Sequence, residues 1–280
     1  MTAFKAYLIG LKGSLSAWRV WVLLYLFNLL FTFTVIAPVA QYLEKKIGHS
    51  VLVNELSEGF NYTVMHDFLA NYEVSIAAFA ESALVITVLY FVWSIFAAGG
   101  ILRVFLRSES GYRLRNFWGG GTYYFWRMAR ITFYFLLMQA AVLAVFGGIF
   151  WLLAPAEPDS EMQYINLAKI IVPLYMTAAF LTAIWQDFTK ILAVRRDEIW
   201  LFGTFWATVR FLRKNFGRVF LFSLLNLLTV GLIYLIYRGG SLTFTGMNAV
   251  FFFGQILVIG RIGSKLWTAA GGLTLTENQI

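Results

Sequence analysis

Long apolar runs alternate along the chain with shorter stretches that mix aromatic and basic residues. Six runs stand out, at residues 20–40, 83–102, 131–154, 165–185, 219–237 and 241–260. A helix crossing a hydrocarbon core about 30 Å thick needs about 20 predominantly apolar residues, and these runs have that length. Backbone groups in lipid must bond within their own segment, so the runs are expected to be helices. The short alternating segments of a membrane barrel are absent. The expected fold class is all-α: a polytopic membrane helical bundle of six transmembrane helices, forming one integral membrane domain over residues 1–280. The sixth run is the weakest, because Thr243, Thr245 and Asn248 dilute its start.

The spans pair into three hairpins, each preceded by a segment of mixed apolar and basic character. Two of these segments run in parallel. One reads Arg103, Phe117-Trp118, Arg130, Gln139, and the other Lys190, Phe205-Trp206, Arg218, Asn226, with gaps that differ by a residue at most. The first hairpin offers a partial third copy in Arg19 and Asn28, so a threefold internal repeat is expected. Ile199, Phe202, Trp206, Val209 and Leu212 recur at helical spacing with Arg210, Arg213 and Lys214 around them. Phe4, Tyr7, Leu8, Leu11 and Leu15 form a similar stripe beside Lys5 and Lys12. Such stripes predict amphipathic helices lying in the membrane interface. Arg127, Arg130, Arg210, Arg213, Lys214 and Arg218 are the expected contacts to lipid headgroups, each worth about 1 kcal/mol near an anionic surface. The segment 112–126 is less regular, and Gly119-Gly120-Gly121 is expected to break it. Residues 41–82 form the largest non-spanning piece, where Leu52, Leu56, Phe60, Val64 and Phe68 predict one or two short external helices. The tail 274–280 is expected to be disordered.

Composition and charge fix the class and the orientation. Hydrophobic residues make up 60% of the chain and charged residues 13%, which excludes an ordinary soluble domain. With the N-terminus in the cytoplasm and six spans, all of the 22 basic residues except Lys45, Lys46, Lys169 and Arg238 fall on the cytoplasmic side. Positive charge resists translocation, so both termini are expected in the cytoplasm, in the inner membrane of a bacterium. The net charge of +8 therefore reports loop orientation, and no nucleic-acid partner is expected. With no cysteine and only His49 and His66, disulfides, thiolate metal sites and multi-histidine sites are excluded.

Few residues could carry chemistry. Asn28, Gln139 and Asn226 sit at similar depths in spans 1, 3 and 5. They form either an intramembrane polar cluster that touches a substrate or a set of interhelical hydrogen bonds. Asp187 and Lys190, three apart on one helix face, can form an ion pair. An acid within a span is a candidate for proton coupling, but Trp185 beside it argues for a shallow structural pair. His66-Asp67 lacks the further histidines that a metal-dependent hydrolase needs. Pro173 is expected to kink span 4. Ala97-Ala98-Gly99-Gly100 and Gly147-Gly148, with Gly254, Gly260 and Gly263, permit close helix approach. No catalytic, cofactor-binding or metal-ligating residue is expected, and the protein is not expected to be an enzyme.

Ala97 to Arg103, Phe117-Trp118 to Arg130 and Gln186-Asp187-Phe188-Thr189-Lys190-Ile191 resemble a loose group of bacterial six-span proteins. The group includes the membrane domain fused to some glycerophosphodiester phosphodiesterases. The resemblance implies a compact helical membrane module and carries over no activity. The functional expectation is a non-enzymatic scaffold, accessory subunit or assembly factor of a membrane complex. Its partners would be anionic inner-leaflet lipids and other membrane subunits. A transporter or lipid-handling permease is the alternative.

Overall fold

The computed structural model describes residues 2–47, 76–107, 113–155, 161–243 and 247–277. Among them all regular structure is α-helical, in seven helices. These are α1 (Ala3–Ser16), α2 (Trp18–Ile47), α3 (Ile76–Leu106), α4 (Arg113–Leu153), α5 (Glu161–Arg195), α6 (Leu201–Thr243) and α7 (Met247–Leu275). Five of them, α2 to α6, are long and apolar enough to cross a membrane. The chain is thus a helical membrane bundle. The expected run at 241–260 is divided: its first residues close α6, 244–246 lie outside the described residues, and the rest opens α7. That helix continues through Arg261 and Lys265. Most of the expected external segment also lies outside the described residues.

The chain divides into two compact units, Leu23–Ser94 and Met1–Val22 with Ile95–Ile280. In the smaller unit Phe27 stacks on Trp93 at 3.7 Å between ring centroids, and Phe31 meets Tyr90 edge-on at 5.5 Å. Asn28 belongs to this pair of helices.

The larger unit holds the core, and small residues build much of it. On α1, Thr2 caps the first turn by accepting the Lys5 N–H at 3.4 Å. The buried face of α1 is Ala3, Ala6, Gly10 and Ser14, spaced at three and four residues. Phe4, Leu8 and Leu15 point outward. The same inversion marks α6, where Ile199, Phe202 and Trp206 are exposed just before and along its first turns, while Thr204, Phe205, Thr208 and Phe211 face the core. The apolar stripes read from the sequence are therefore the outward faces. Lipid tails are as apolar as leucine, so helices in a membrane gain by bringing small side chains together and leaving large ones outside.

The mixed aromatic and basic segments that open α4, α6 and α1, the elbows of the chain, pack on α3, α5 and α7 respectively. Gly99 and Gly100 of α3 lie against Gly120, Phe117 and Tyr124 of α4. On α5, Trp185 and Phe188 meet Phe205 and Phe211 of α6 at 5.3 and 5.6 Å. On α7, Gly271 lies against α1 at Gly10, and the Trp267 indole N–H donates to Tyr7 O at 2.6 Å. The last helix thus closes on the first. The α3 and α7 contacts are built from the same word, Ala-Ala-Gly-Gly, at residues 97–100 and 269–272.

Matched positions have matched surroundings. Phe117 and Phe205 are buried while Trp118 and Trp206 are exposed. The residue after each matched arginine, Val20, Ile131 or Val219, is buried. Four residues before each amide lies a buried apolar side chain, Leu24, Phe135 or Phe222.

Several local expectations are corrected. The glycine triplet does not break α4, which is continuous from Arg113 to Leu153. A Cβ on Gly120 would meet Arg103 Cβ at 2.5 Å, and one on Gly121 the Phe96 ring at 2.4 Å, so these glycines admit neighbours. Among the described residues Gly147, Gly148 and Gly254 have nothing within 4 Å of a built Cβ and mediate no approach. α5 includes Pro173 within one helix, and α6, where no interruption was expected, has a non-helical residue at Asn215, where φ is −122° and ψ 21°. The expected disordered tail begins as helix: Thr274 and Leu275 end α7, and Thr276 is buried. Tryptophans of membrane proteins favour the exposed interface, and Trp18, Trp118, Trp126, Trp151, Trp200 and Trp206 are exposed. Trp21, Trp185 and Trp267 are instead partly buried among neighbouring helices.

Candidate functional site

The three intramembrane amides bond locally. Asn28 donates from Nδ2 to Leu24 O at 2.7 Å and accepts from the Tyr90 hydroxyl at 3.2 Å. Gln139 reaches across from α4 to α5, donating from Nε2 to Ala179 O at 3.2 Å and to the Thr182 hydroxyl. Asn226 is buried on α6, where Nδ2 donates to Phe222 O at 2.9 Å and Oδ1 has no partner. Within the larger unit no hydrogen bond joins Gln139 to Asn226, and each serves its own neighbourhood.

Asp187 and Lys190 lie on α5 within electrostatic reach of each other and of Lys265 on α7. They do not make the direct ion pair expected from their spacing: among the described residues the pair within 4 Å is Arg127 with Asp197, at 2.9 Å. Asp187 lies on the outer surface of α5, with the partly exposed Lys190 on the same helix.

Arg127, expected at lipid headgroups, instead turns inward. Its Nη1 donates to Asp197 Oδ1 and to Ala193 O, both at 2.9 Å, and the guanidinium sits over the Tyr124 ring at 5.1 Å. Tyr123 adds a hydroxyl donation to Asp197 Oδ2 at 3.1 Å. Asp197 holds a left-handed backbone with φ 50°, a conformation Asp tolerates better than most residues. The turn between α5 and α6 is thereby pinned to α4. The buried side of Arg127 makes this worth more to the fold than to a lipid. The other expected headgroup contacts, Arg130, Arg210, Arg213, Lys214 and Arg218, are exposed. Arg210, Arg213 and Lys214 line a shallow groove of about 520 Å³ with Trp206 and Val209.

Sequence reasoning missed the larger feature. A cavity of about 730 Å³ lies where α1, α3, α4, α5 and α7 end. Three arginines line it: Arg107 after the last turn of α3, Arg113 at the start of α4 and Arg195 in the last turn of α5. Glu277 is the acid in its wall. Arg113 Nη1 donates to the Ser16 hydroxyl at 2.9 Å. Arg195 Nη1 donates to Leu273 O and to the Thr276 hydroxyl, the latter at 2.9 Å, which ties α5 to the end of α7. Its Nε is buried without a hydrogen-bond partner. The sequence signal was an arginine at or beside a helix end in three successive segments, a placement that the spacing within any one helix does not reveal. Among the described residues no group of three His, Cys, Asp or Glu forms a metal-ligand cluster. His49, His66 and Asp67 lie outside the described residues. No family model matches the chain, and no curated protein and no solved structure matches it either.

Proposed function

We propose that the protein is a six-span, non-enzymatic module of a bacterial inner membrane, serving as scaffold, accessory subunit or assembly factor of a membrane complex. In this reading α7 supplies the sixth crossing, both termini lie in the cytoplasm, and the arginine-bearing helix ends sit at the inner leaflet. The threefold repeat organises the module. The observation that carries the reading is the division of the larger unit: small-residue faces and interlocked buried rings such as Phe117, Phe135 and Phe188 at the elbow end, large apolar residues exposed along the spanning stretches, and basic residues gathered at the elbow end. The outward face of α6 joins Trp206 to Arg210, Arg213 and Lys214, a combination suited to the headgroup boundary of anionic lipid.

Two measurements test this. A reporter fused after Ile280 is expected to be active only in the cytoplasm, and activity outside would overturn the span count. Purification from native membranes in a mild detergent is expected to retain a partner membrane protein at fixed stoichiometry. A monodisperse chain that keeps no partner, and that moves a solute across reconstituted vesicles, would replace this reading with a transporter. The specific observation favouring that second reading is the exposed Asp187 on a spanning helix, within reach of Lys190 and Lys265.

A further inference from the structure

We infer that the groove on α6 beside Trp206 is a site for a phospholipid whose headgroup carries two phosphates. Arg210, Arg213 and Lys214 share one face of the helix and line that groove with Trp206 and Val209. All three cations are exposed, and among the described residues none makes a hydrogen bond or an ion pair. The nearest acids in the sequence do not reach them. Asp197 is engaged by Arg127 and Tyr123, and the Glu198 carboxylate lies against Gly203 in the first turn of α6. Like charges three and four residues apart repel, so the bare cluster opposes the helix that carries it. The fold does not require it. Counted back eight, five and four residues from the matched arginines Arg130 and Arg19, the same positions are Thr122, Phe125 and Trp126 in α4 and Leu11, Ser14 and Leu15 in α1. Neither of those elbows has a cation there, and both pack.

The surroundings select the ligand. Ile199, Trp200, Phe202 and Trp206 are exposed on the same elbow, an apolar surface next to the cations. A soluble anion leaves that surface bare, whereas a phospholipid covers it with its acyl chains. Helix α6 departs from helical geometry at Asn215, directly after Lys214, where Asn215 Nδ2 donates to Phe211 O at 3.2 Å. In the proposed placement of the elbow end at the inner leaflet, on which this inference rests, that break lets the basic face lie at the headgroups while the span continues into the bilayer. Two phosphates fit better than one. The groove holds about 520 Å³, against about 30 Å³ for a water molecule. Arg210 and Lys214 stand one turn apart, about 5 Å along the axis. A guanidinium forks two oxygens of one phosphate. A headgroup with two phosphates can therefore meet Arg210 with one and Arg213 and Lys214 with the other, whereas a singly charged lipid leaves cations unpaired.

The test uses the full chain in nanodiscs of phosphatidylcholine that contain diphosphatidylglycerol or phosphatidylglycerol at equal phosphate. Lipid that stays with the protein after extraction into a mild non-ionic detergent is counted by native mass spectrometry. Diphosphatidylglycerol is expected to be retained at least tenfold over phosphatidylglycerol, and Arg213→Gln/Lys214→Gln is expected to abolish that preference. Lys5→Gln/Lys12→Gln, which deletes the same charge from α1, is expected to leave it within twofold. Trp206→Ala alters an exposed side chain and is expected to weaken retention several-fold, and it carries the test if the glutamine variant does not fold. Equal retention of the two lipids by the wild-type chain, or equal loss in the α1 variant, overturns the inference. The reporter after Ile280 separates this result from the proposed function. Cytoplasmic activity without a lipid preference rejects the groove alone, and external activity rejects the placement at the inner leaflet and the inference with it.

Discussion

The two halves of α4 lie on one helix but in different structural worlds. From Phe117 to Phe135 the helix buries Phe117, Gly120, Gly121, Tyr124, Met128, Ile131 and Phe135. From Leu136 to Leu153 it buries nothing, and Leu136, Leu137, Leu143, Val145, Trp151, Leu152 and Leu153 are exposed. Hydropathy runs against burial: the bare half is much the more apolar, and the packed half carries Arg127 and Arg130. The difference is in side-chain size and in neighbours: three consecutive glycines and a line of interlocked rings in one half, large unpartnered side chains in the other. Stability in this protein is therefore expected to reside at the elbow end. The opposite half presents its apolar surface to whatever medium surrounds it.

The sharpest way to break this contrast is a matched truncation. Phe135→Ala should destabilise the protein by about 3–5 kcal/mol, since it empties a buried ring site flanked by Trp185 and Phe205. Leu143→Ala, two turns further on, should cost close to nothing. Unfolding in mixed detergent micelles measures both, and equal losses would erase the distinction between the halves.

Glycines give a second, smaller contrast. A Cβ at Gly100 would stand 2.7 Å from the backbone oxygen of Phe117, which cannot swing aside as a side chain can. Gly100→Ala is expected to cost about 1–3 kcal/mol through overpacking. Gly147→Ala meets open space and should be neutral or slightly stabilising, because alanine favours the helix by up to about 1 kcal/mol. A tolerant Gly100 would mean that α3 and α4 can part without penalty.

The smallest effect concerns the latch that holds the packed half of α4. Asp197→Asn keeps a residue that tolerates φ 50° and can still accept from Tyr123, but it removes the charge facing Arg127. Because Asp197 is 55% exposed, the expected loss is below about 1 kcal/mol. The loss should shrink as salt is added. A salt-independent loss would point to the hydrogen bonds alone.

The helices were legible in the sequence because an apolar run long enough to cross a bilayer has few alternatives. The elbows were legible as amphipathic stripes, but their orientation was not. A stripe of Phe4, Leu8 and Leu15 marks the core side in water and the outer side in lipid. Ala3, Ala6, Gly10 and Ser14, which make the real contact, carry almost no hydropathy signal. The similarity around Phe117-Trp118 and Phe205-Trp206 pointed to equivalent positions, and the burial of one ring and exposure of the other repeats in both. What joins distant segments stayed hidden. Arg127 and Asp197 are separated by 70 residues, and nothing local distinguishes Arg127 from the exposed Arg130. The arginine-lined cavity draws on five helix ends, so no window of sequence contains it. Asn215 gave no warning either, since an asparagine within an aromatic and basic stretch reads equally as helix surface.

The pairing of α7 with α1 has a bearing on how the protein is made. α1 leaves the ribosome well before its mates at Trp267 and Gly271, which follow about 260 residues later. Until then its narrow face of alanine and glycine has no docking place, and contacts so distant along the chain form slowly. Locking of α1 therefore waits for the synthesis of α7, and a chain that stopped before α7 would betray itself to membrane proteases by a helix left hanging.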